Sequence, residues 1–346
     1  MEETKMIVDN ETNKQLNDFI AKRREKSKLN TCLYCGKETT SFCASHTVPK
    51  FCLHNISDSG KVLTLKTILM PTSTNSSDGI KRAGVFRRIC RECDSKIFSD
   101  YENPNNYHDS PTQKMMAEIA LKNYLRLVSK RLDETCGYDM LLQEEKIPRN
   151  IGKYRQIINS DDLTYYQECF EKAKQSIITD LQNKYYLCYY KKISYVVPLA
   201  FQGAVTLPVD LNGNVINDIY SLSSKTSEIQ ICVFPLKEES VILMFINDDD
   251  KRYRNFYRKI KKFNPEEQLA VINYIIFLTS EDVFLSETLQ DIVQNNHELL
   301  SVMQIFTEIG IKFPENTHRY DLYRKKFTLE RKDKIPNFLS EKYKIR

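Results

Sequence analysis

The chain has no apolar run approaching the roughly 20 residues that a membrane-spanning helix needs, so no membrane span is expected among its 346 residues. It begins Met1-Glu2-Glu3-Thr4-Lys5-Met6, without the basic-then-apolar layout of a secretory signal. No segment recurs at the period of a solenoid. A large excess of either charge is also missing. Lys and Arg total 51 against 46 Asp and Glu, a net of +5, which permits nucleic-acid binding without demanding it. Histidine is scarce, with five residues. His54 and His108 lie near the cysteine motif described below and read as surface residues, while His297 and His318 carry no signal. These absences point to a cytoplasmic protein without a membrane partner. With 41% hydrophobic and 28% charged residues, the composition is that of an ordinary folded chain, long enough for two or three structural units.

Cysteine, by contrast, is plentiful, with ten residues. In a reducing compartment these read as metal ligands or small buried hydrophobes, not as a disulfide framework. Cys136, Cys169, Cys188 and Cys232 stand singly among apolar residues and belong in the core. Cys43 and Cys52 lack pair spacing and read as packing residues or as support for a metal frame. The other four form Cys32-Leu33-Tyr34-Cys35 and Cys90-Arg91-Glu92-Cys93. A two-residue gap lets both sulfurs of one turn reach a single ion, and two such pairs make a structural Zn²⁺ site.

Between the pairs stands Ser45-His46-Thr47-Val48-Pro49-Lys50; after the second come Asp94, Phe98 and Tyr101-Glu102. A neutral imidazole can take a proton near pH 7, which makes His46 a candidate general base. A zinc ligand or a buried, backbone-bonded histidine is the plainer reading. Asp94 and Glu102 are oxygen donors of the kind Mg²⁺ or Mn²⁺ prefers. Such an ion would neutralise charge on a phosphate and its departing oxygen. If 91–101 is one helix, these acids sit about 80° apart around it, two turns apart on broadly one side. Asp94 would serve equally as a helix cap, and Glu102 as a surface partner for a lysine.

Lys50, Arg87, Arg88 and Arg91, with Lys81 and Arg82 beside them, form a candidate phosphate-binding rim, since cations at phosphates supply affinity without reading sequence. A second run, from Lys251 to Phe263, sets seven cations among four aromatics. It suits backbone contact with base stacking, or a solvated helix with an aromatic core face.

The organisation predicted is α+β. A leader (1–30) carries Leu16, Phe19 and Ile20 at helical spacing. A zinc-stabilised module (31–110) includes a polar loop over Pro71–Gly79. A helical segment (111–190) holds helices over Gln113–Glu134 and Asp161–Lys184. The C-terminal region (191–346) reads as a mixed sheet with helices. Its strands are expected at Ile193–Pro198, Ala204–Val209, Glu228–Phe234 and Ser240–Ile246. A turn is expected at Leu211–Asn214 and a hairpin link at Pro235–Glu239. Helices follow at Pro265–Leu278 and Ser286–Glu308, then a basic tail from Arg324.

The pattern over residues 30–103 resembles the HNH (His-Asn-His) endonuclease superfamily with its treble-clef zinc frame and ββα-metal site. The resemblance implies that His46 is the general base and that Cys32, Cys35, Cys90 and Cys93 hold structural zinc. It also places Asp94 at the middle position and Glu102 at the helix-end acid, together holding a catalytic Mg²⁺ or Mn²⁺. It departs from the pattern at Ser45, where many members carry an acid, and in lacking the final histidine, for which Glu102 is the nearest substitute. The activity implied is metal-dependent hydrolysis of phosphodiester bonds, in DNA rather than RNA. The chain would serve as an effector of anti-phage defence, as a homo-oligomer or with a partner protein, its C-terminal region sensing a trigger or recruiting that partner. The alternative is a non-catalytic zinc module that binds nucleic acid or protein within a larger complex.

Overall fold

A computed structural model of the protein describes residues 10–69, 77–179, 183–219, 225–309 and 324–346. Most of the loop expected at Pro71–Gly79 lies outside them, as does His318. The chain opens with helix α1 (Asn10–Lys26) and passes the first cysteine pair to a two-residue strand, β1 (Ser45–His46). Then come α2 (Lys50–Ile56), β2 (Lys61–Thr64), α3 (Leu65–Leu69), β3 (Asp78–Gly79), β4 (Val85–Phe86) and α4 (Arg91–Ile97). Two long helices follow, α5 (Gln113–Gln143) and α6 (Arg149–Ile178). Strands β5 (Tyr185–Ile193), β6 (Leu199–Val205), β7 (Ile229–Pro235) and β8 (Ser240–Asn247) come next. The chain then runs through α7 (Arg254–Ile260), α8 (Pro265–Thr279), β9 (Val283–Leu285), α9 (Gln290–Gln294) and α10 (His297–Ile309).

Both long helices start where local chemistry allows. The Thr112 hydroxyl accepts from the Met115 N–H at 3.2 Å and caps α5. Pro148, extended at ψ 138°, launches α6, so that helix begins well before the expected Asp161 and stops at Ile178. Gly152 near its start presses against Leu142 so closely that a Cβ would collide with that side chain. Helix α8 opens with a capping box, in which the Asn264 side chain accepts from the N–H groups of Glu266 and Glu267, and Glu267 returns a bond to Asn264 N–H.

Seven strands form one sheet in the order β3-β2-β9-β6-β7-β8-β5. Every ladder among the described residues is antiparallel, where a mixed sheet was expected. Its centre is apolar on both faces. Along β8, Val241, Leu243 and Phe245 enter one core with α5, while Ile242, Met244 and Ile246 enter the other with α8. The protein is therefore layered, with α5 and the cysteine-bearing segment on one face and α7, α8 and α10 on the other. Strand β2 comes from between the two cysteine pairs, yet pairs with β9 of the C-terminal region (Leu63 opposite Leu285). One sheet thus joins the cysteine-bearing segment to the rest of the chain.

Two expected strands shift. Ile193–Pro198 is mostly the connection between β5 and β6, and Ala204–Val209 catches only the end of β6. The Pro235–Glu239 hairpin link is present, with Pro235 opposite Ser240, as is the 211–214 turn, where Gly213 has φ +75°. The basic-aromatic run resolves as a helix with an aromatic core face: Tyr253 and Phe256 are fully buried and Tyr257 nearly so. These three rings are turned into the core, while Phe263 is half-buried.

Candidate functional site

The thiol sulfurs of Cys32, Cys35, Cys90 and Cys93 lie within 4.8 Å of one another. Four sulfurs around a tetrahedral Zn²⁺ at about 2.3 Å would be separated by about 3.8 Å, so the cluster fits a closed, structural zinc. Local backbone builds it. The first knuckle turns through Gly36 at φ +70°, with Gly36 N–H donating to Cys32 O at 2.8 Å. The second knuckle forms the start of α4, with Cys90 at its N-cap. Leu33 N–H donates to Arg88 O at 3.0 Å and Cys90 N–H to the Cys32 sulfur at 3.3 Å, tying the knuckles together. Burial alone would raise the Cys32 thiol, but backbone N–H groups aimed at it outweigh this and lower it to about 7, toward the thiolate a metal needs.

Beside the cluster, β1 and β4 pair antiparallel, Ser45 opposite Phe86 and His46 opposite Val85. Helix α4 follows β4 directly. Gly84, at φ +65°, makes the approach possible, because a Cβ there would strike Phe284 and Thr47. His46 is half-buried and its Nε2 lies 3.0 Å from the carbonyl oxygen of Ile80. A carbonyl only accepts, so Nε2 carries the proton and Nδ1 keeps a free lone pair. Desolvation pulls the imidazole pKa below its usual 6.5; the Ile80 bond opposes this, and Lys50 and Lys122 add to it. His46 is thus a neutral imidazole whose Nδ1 has no hydrogen-bond partner among the described residues.

Asp94 sits in the first turn of α4 and accepts from Ser45 Oγ and from the Cys43 thiol, the latter at 3.3 Å. Desolvation would raise this carboxyl, but Lys122 and these donors hold it below the usual carboxylate range. Cys43 is pushed up to about 11, first by burial and then by Asp94, so it remains a thiol donor. Helix α4 stops at Ile97, short of the span assumed for helical spacing of the acids. Glu102 returns through a turn in which its N–H donates to Phe98 O at 3.1 Å, and its Oε1 accepts from Tyr101 OH at 3.1 Å.

The two acids do converge, but on a residue the motif does not contain. Lys122, in the middle of α5 and only 1% exposed, places Nζ 3.2 Å from Asp94 Oδ1 and 3.1 Å from Glu102 Oε1. It also donates to Ser45 Oγ at 3.2 Å and stands 3.7 Å from the centre of the Phe98 ring. The divalent ion implied by the resemblance would need these same carboxylates. Placed about 4 Å from the ammonium, it would be repelled by about 8 kcal/mol at an effective dielectric of about 20. It does not fit beside Lys122. Sequence reading missed this lysine; the available signal was a lone cation three residues after Ile119, inside the apolar stripe of α5.

The expected rim divides. Lys50, Arg87 and Arg91 are exposed, as a phosphate contact requires. Arg88 is not part of it. Only 4% exposed, it points inward and donates to Ser129 Oγ at 3.0 Å, Ser27 O at 2.6 Å and Asp133 Oδ1 at 2.7 Å, fastening α1 and α5 to the cysteine-bearing segment. His54, His108 and His297 are exposed and outside the cluster.

The chain matches no family model, no curated protein and no solved structure.

Proposed function

We propose that this protein hydrolyses phosphodiester bonds of nucleic acid, DNA by preference, at a ββα-type site with His46 as general base. The observation that carries the reading is the His46 tautomer: the Ile80 carbonyl holds the proton on Nε2, and burial keeps the ring neutral. Water held against Nδ1 would give its proton to that nitrogen as its oxygen attacks phosphorus. The bond to the departing ester oxygen then breaks, and that oxygen takes up a proton from solvent or from the imidazolium, restoring the base. Lys50, close enough to influence the imidazole electrostatically, and exposed Arg87 and Arg91 would hold flanking phosphates. Four cysteines around zinc would keep the β1–β4 ladder and α4 rigid. Because the catalytic divalent ion does not fit beside Lys122, no step here is routed through one.

The second reading is a non-catalytic zinc module that binds nucleic acid or protein. It draws on the same Lys122 ion pairs, which engage one oxygen of each carboxylate of the site. Incubating plasmid DNA with the zinc-loaded protein and with His46→Ala, each with and without added Mg²⁺ or Mn²⁺, separates the two. Cleavage lost in His46→Ala supports hydrolysis. Binding without cleavage by both proteins supports the module.

A further inference from the structure

We propose that Lys122 is the resident cation of the Asp94–Glu102 pair: a protein-borne ammonium that positions both carboxylates and keeps divalent metal out. An ammonium has three N–H donors and no acceptor, and this one meets three acceptors: Ser45 Oγ, Asp94 Oδ1 and Glu102 Oε1. With its donors satisfied and the Phe98 ring against it, Lys122 has nothing left to offer a substrate. It is a positioning residue.

The surroundings complete the case. The other oxygen of Asp94 accepts from Cys43, so protein donors meet both of its oxygens, while Glu102 Oε1 accepts from Tyr101 as well as from Lys122. Two carboxylates against one ammonium leave a single net negative charge, half of what neutralises a divalent ion. A lysine on the buried face of a helix loses side-chain entropy and hydration, and the paired carboxylates offset that loss. Removing Lys122 would leave the two acids side by side without a cation, the arrangement a divalent metal seeks.

This inference rests on the carboxylate geometry and not on hydrolysis, so metal binding tests it independently of cleavage. The probe is Mn²⁺, titrated by electron paramagnetic resonance into the zinc-loaded full chain, its Asp94→Asn variant, Lys122→Met, and Lys122→Met with Asp94→Asn. Wild type is expected to show no Mn²⁺ binding that Asp94→Asn removes. Lys122→Met is expected to bind Mn²⁺ at least about tenfold more tightly, to melt higher when Mn²⁺ is present, and to lose both gains when Asp94→Asn is added. Two results would overturn the proposal: Mn²⁺ binding by wild type that Asp94→Asn abolishes, or unchanged affinity in Lys122→Met. Should Lys122→Met fail to fold, the wild-type and Asp94→Asn titrations alone decide. A protein that cleaves no DNA yet shows the Mn²⁺ gain would end the hydrolytic reading and leave Lys122 in this role.

Discussion

The Nε2 of His46 and the carbonyl oxygen of Ile80 stand 3.0 Å apart, and this one bond determines which nitrogen of the ring can act. With the proton fixed on Nε2, only Nδ1 can take one up. Replacing His46 by alanine is expected to lower cleavage by about 10²–10⁴-fold. Burial places the imidazole pKa below 6.5, so the protonated, inactive form appears only on the acid side. The rate should climb with pH, reach half its plateau below pH 6.5 and stay level to pH 8. A midpoint above 6.5 in the pH–rate profile would remove His46 as the base.

The cysteine cluster predicts one zinc per chain, countable by inductively coupled plasma spectrometry. Cys93→Ser should cut zinc content and destabilise the fold by on the order of 5 kcal/mol, because binding free energy at a structural site is also folding free energy. The damage should reach the C-terminal region, since β2 enters the shared sheet from between the two knuckles.

Neighbouring arginines should separate cleanly. Arg88 donates to Asp133, Ser27 and Ser129 from a buried position, so Arg88→Ala leaves the Asp133 carboxylate without its cation, held only by the Ser27 hydroxyl, and should cost about 3–5 kcal/mol of stability. Exposed Arg91 should behave in the opposite way. Arg91→Ala is expected to keep the melting temperature while weakening nucleic-acid binding and flattening its salt dependence by about one unit of slope. Salt-dependent binding isotherms beside urea denaturation test both residues.

Stability should also depend on pH through a buried carboxyl outside the site. Glu228 is 4% exposed, and its Oε2 accepts from Tyr165 at 2.9 Å and Tyr124 at 3.3 Å. Its Oε1 has no hydrogen-bond partner among the described residues. Burial pushes its pKa from 4.5 up to about 7. The folded state therefore keeps a proton that the unfolded chain releases above pH 4.5. The stability it contributes is full below pH 4.5, falls as pH rises toward about 7, and is constant beyond. The fall amounts to about 3 kcal/mol. Glu228→Gln should remove its share of the slope, leaving that of Glu118, whose carboxyl burial likewise pushes up to about 7, and should be more stable than wild type at pH 8, measured by urea denaturation at pH 5 and pH 8.

How much of this was legible in the chain depended on range. The cysteine pairs, the 211–214 turn, the Pro235–Glu239 link and the Pro265 helix start are set by neighbours within a few residues, and they could be read directly. Strands β7 and β8 were visible as apolar runs, but with both faces buried they lack the alternation that locates a strand's ends and its partner. Strand β2 gave still less. Its four residues pair across more than 200 positions with β9, and no local pattern reports such a partner.

The sequence by itself determined the four-cysteine frame, the single motif histidine, the Pro265 helix start and the Pro235–Glu239 hairpin link, because each follows from spacing or from chemistry within a turn or two; the helix expected over Ser286–Glu308 is broken into α9 and α10. Only the tertiary structure decided which charges meet. It turned Arg88 inward, kept Arg91 at the surface, and carried Lys122 from the centre of α5 to Asp94 and Glu102. The physical reason is that a side chain's electrostatic role depends on its solvent exposure and its through-space neighbours, and packing sets both.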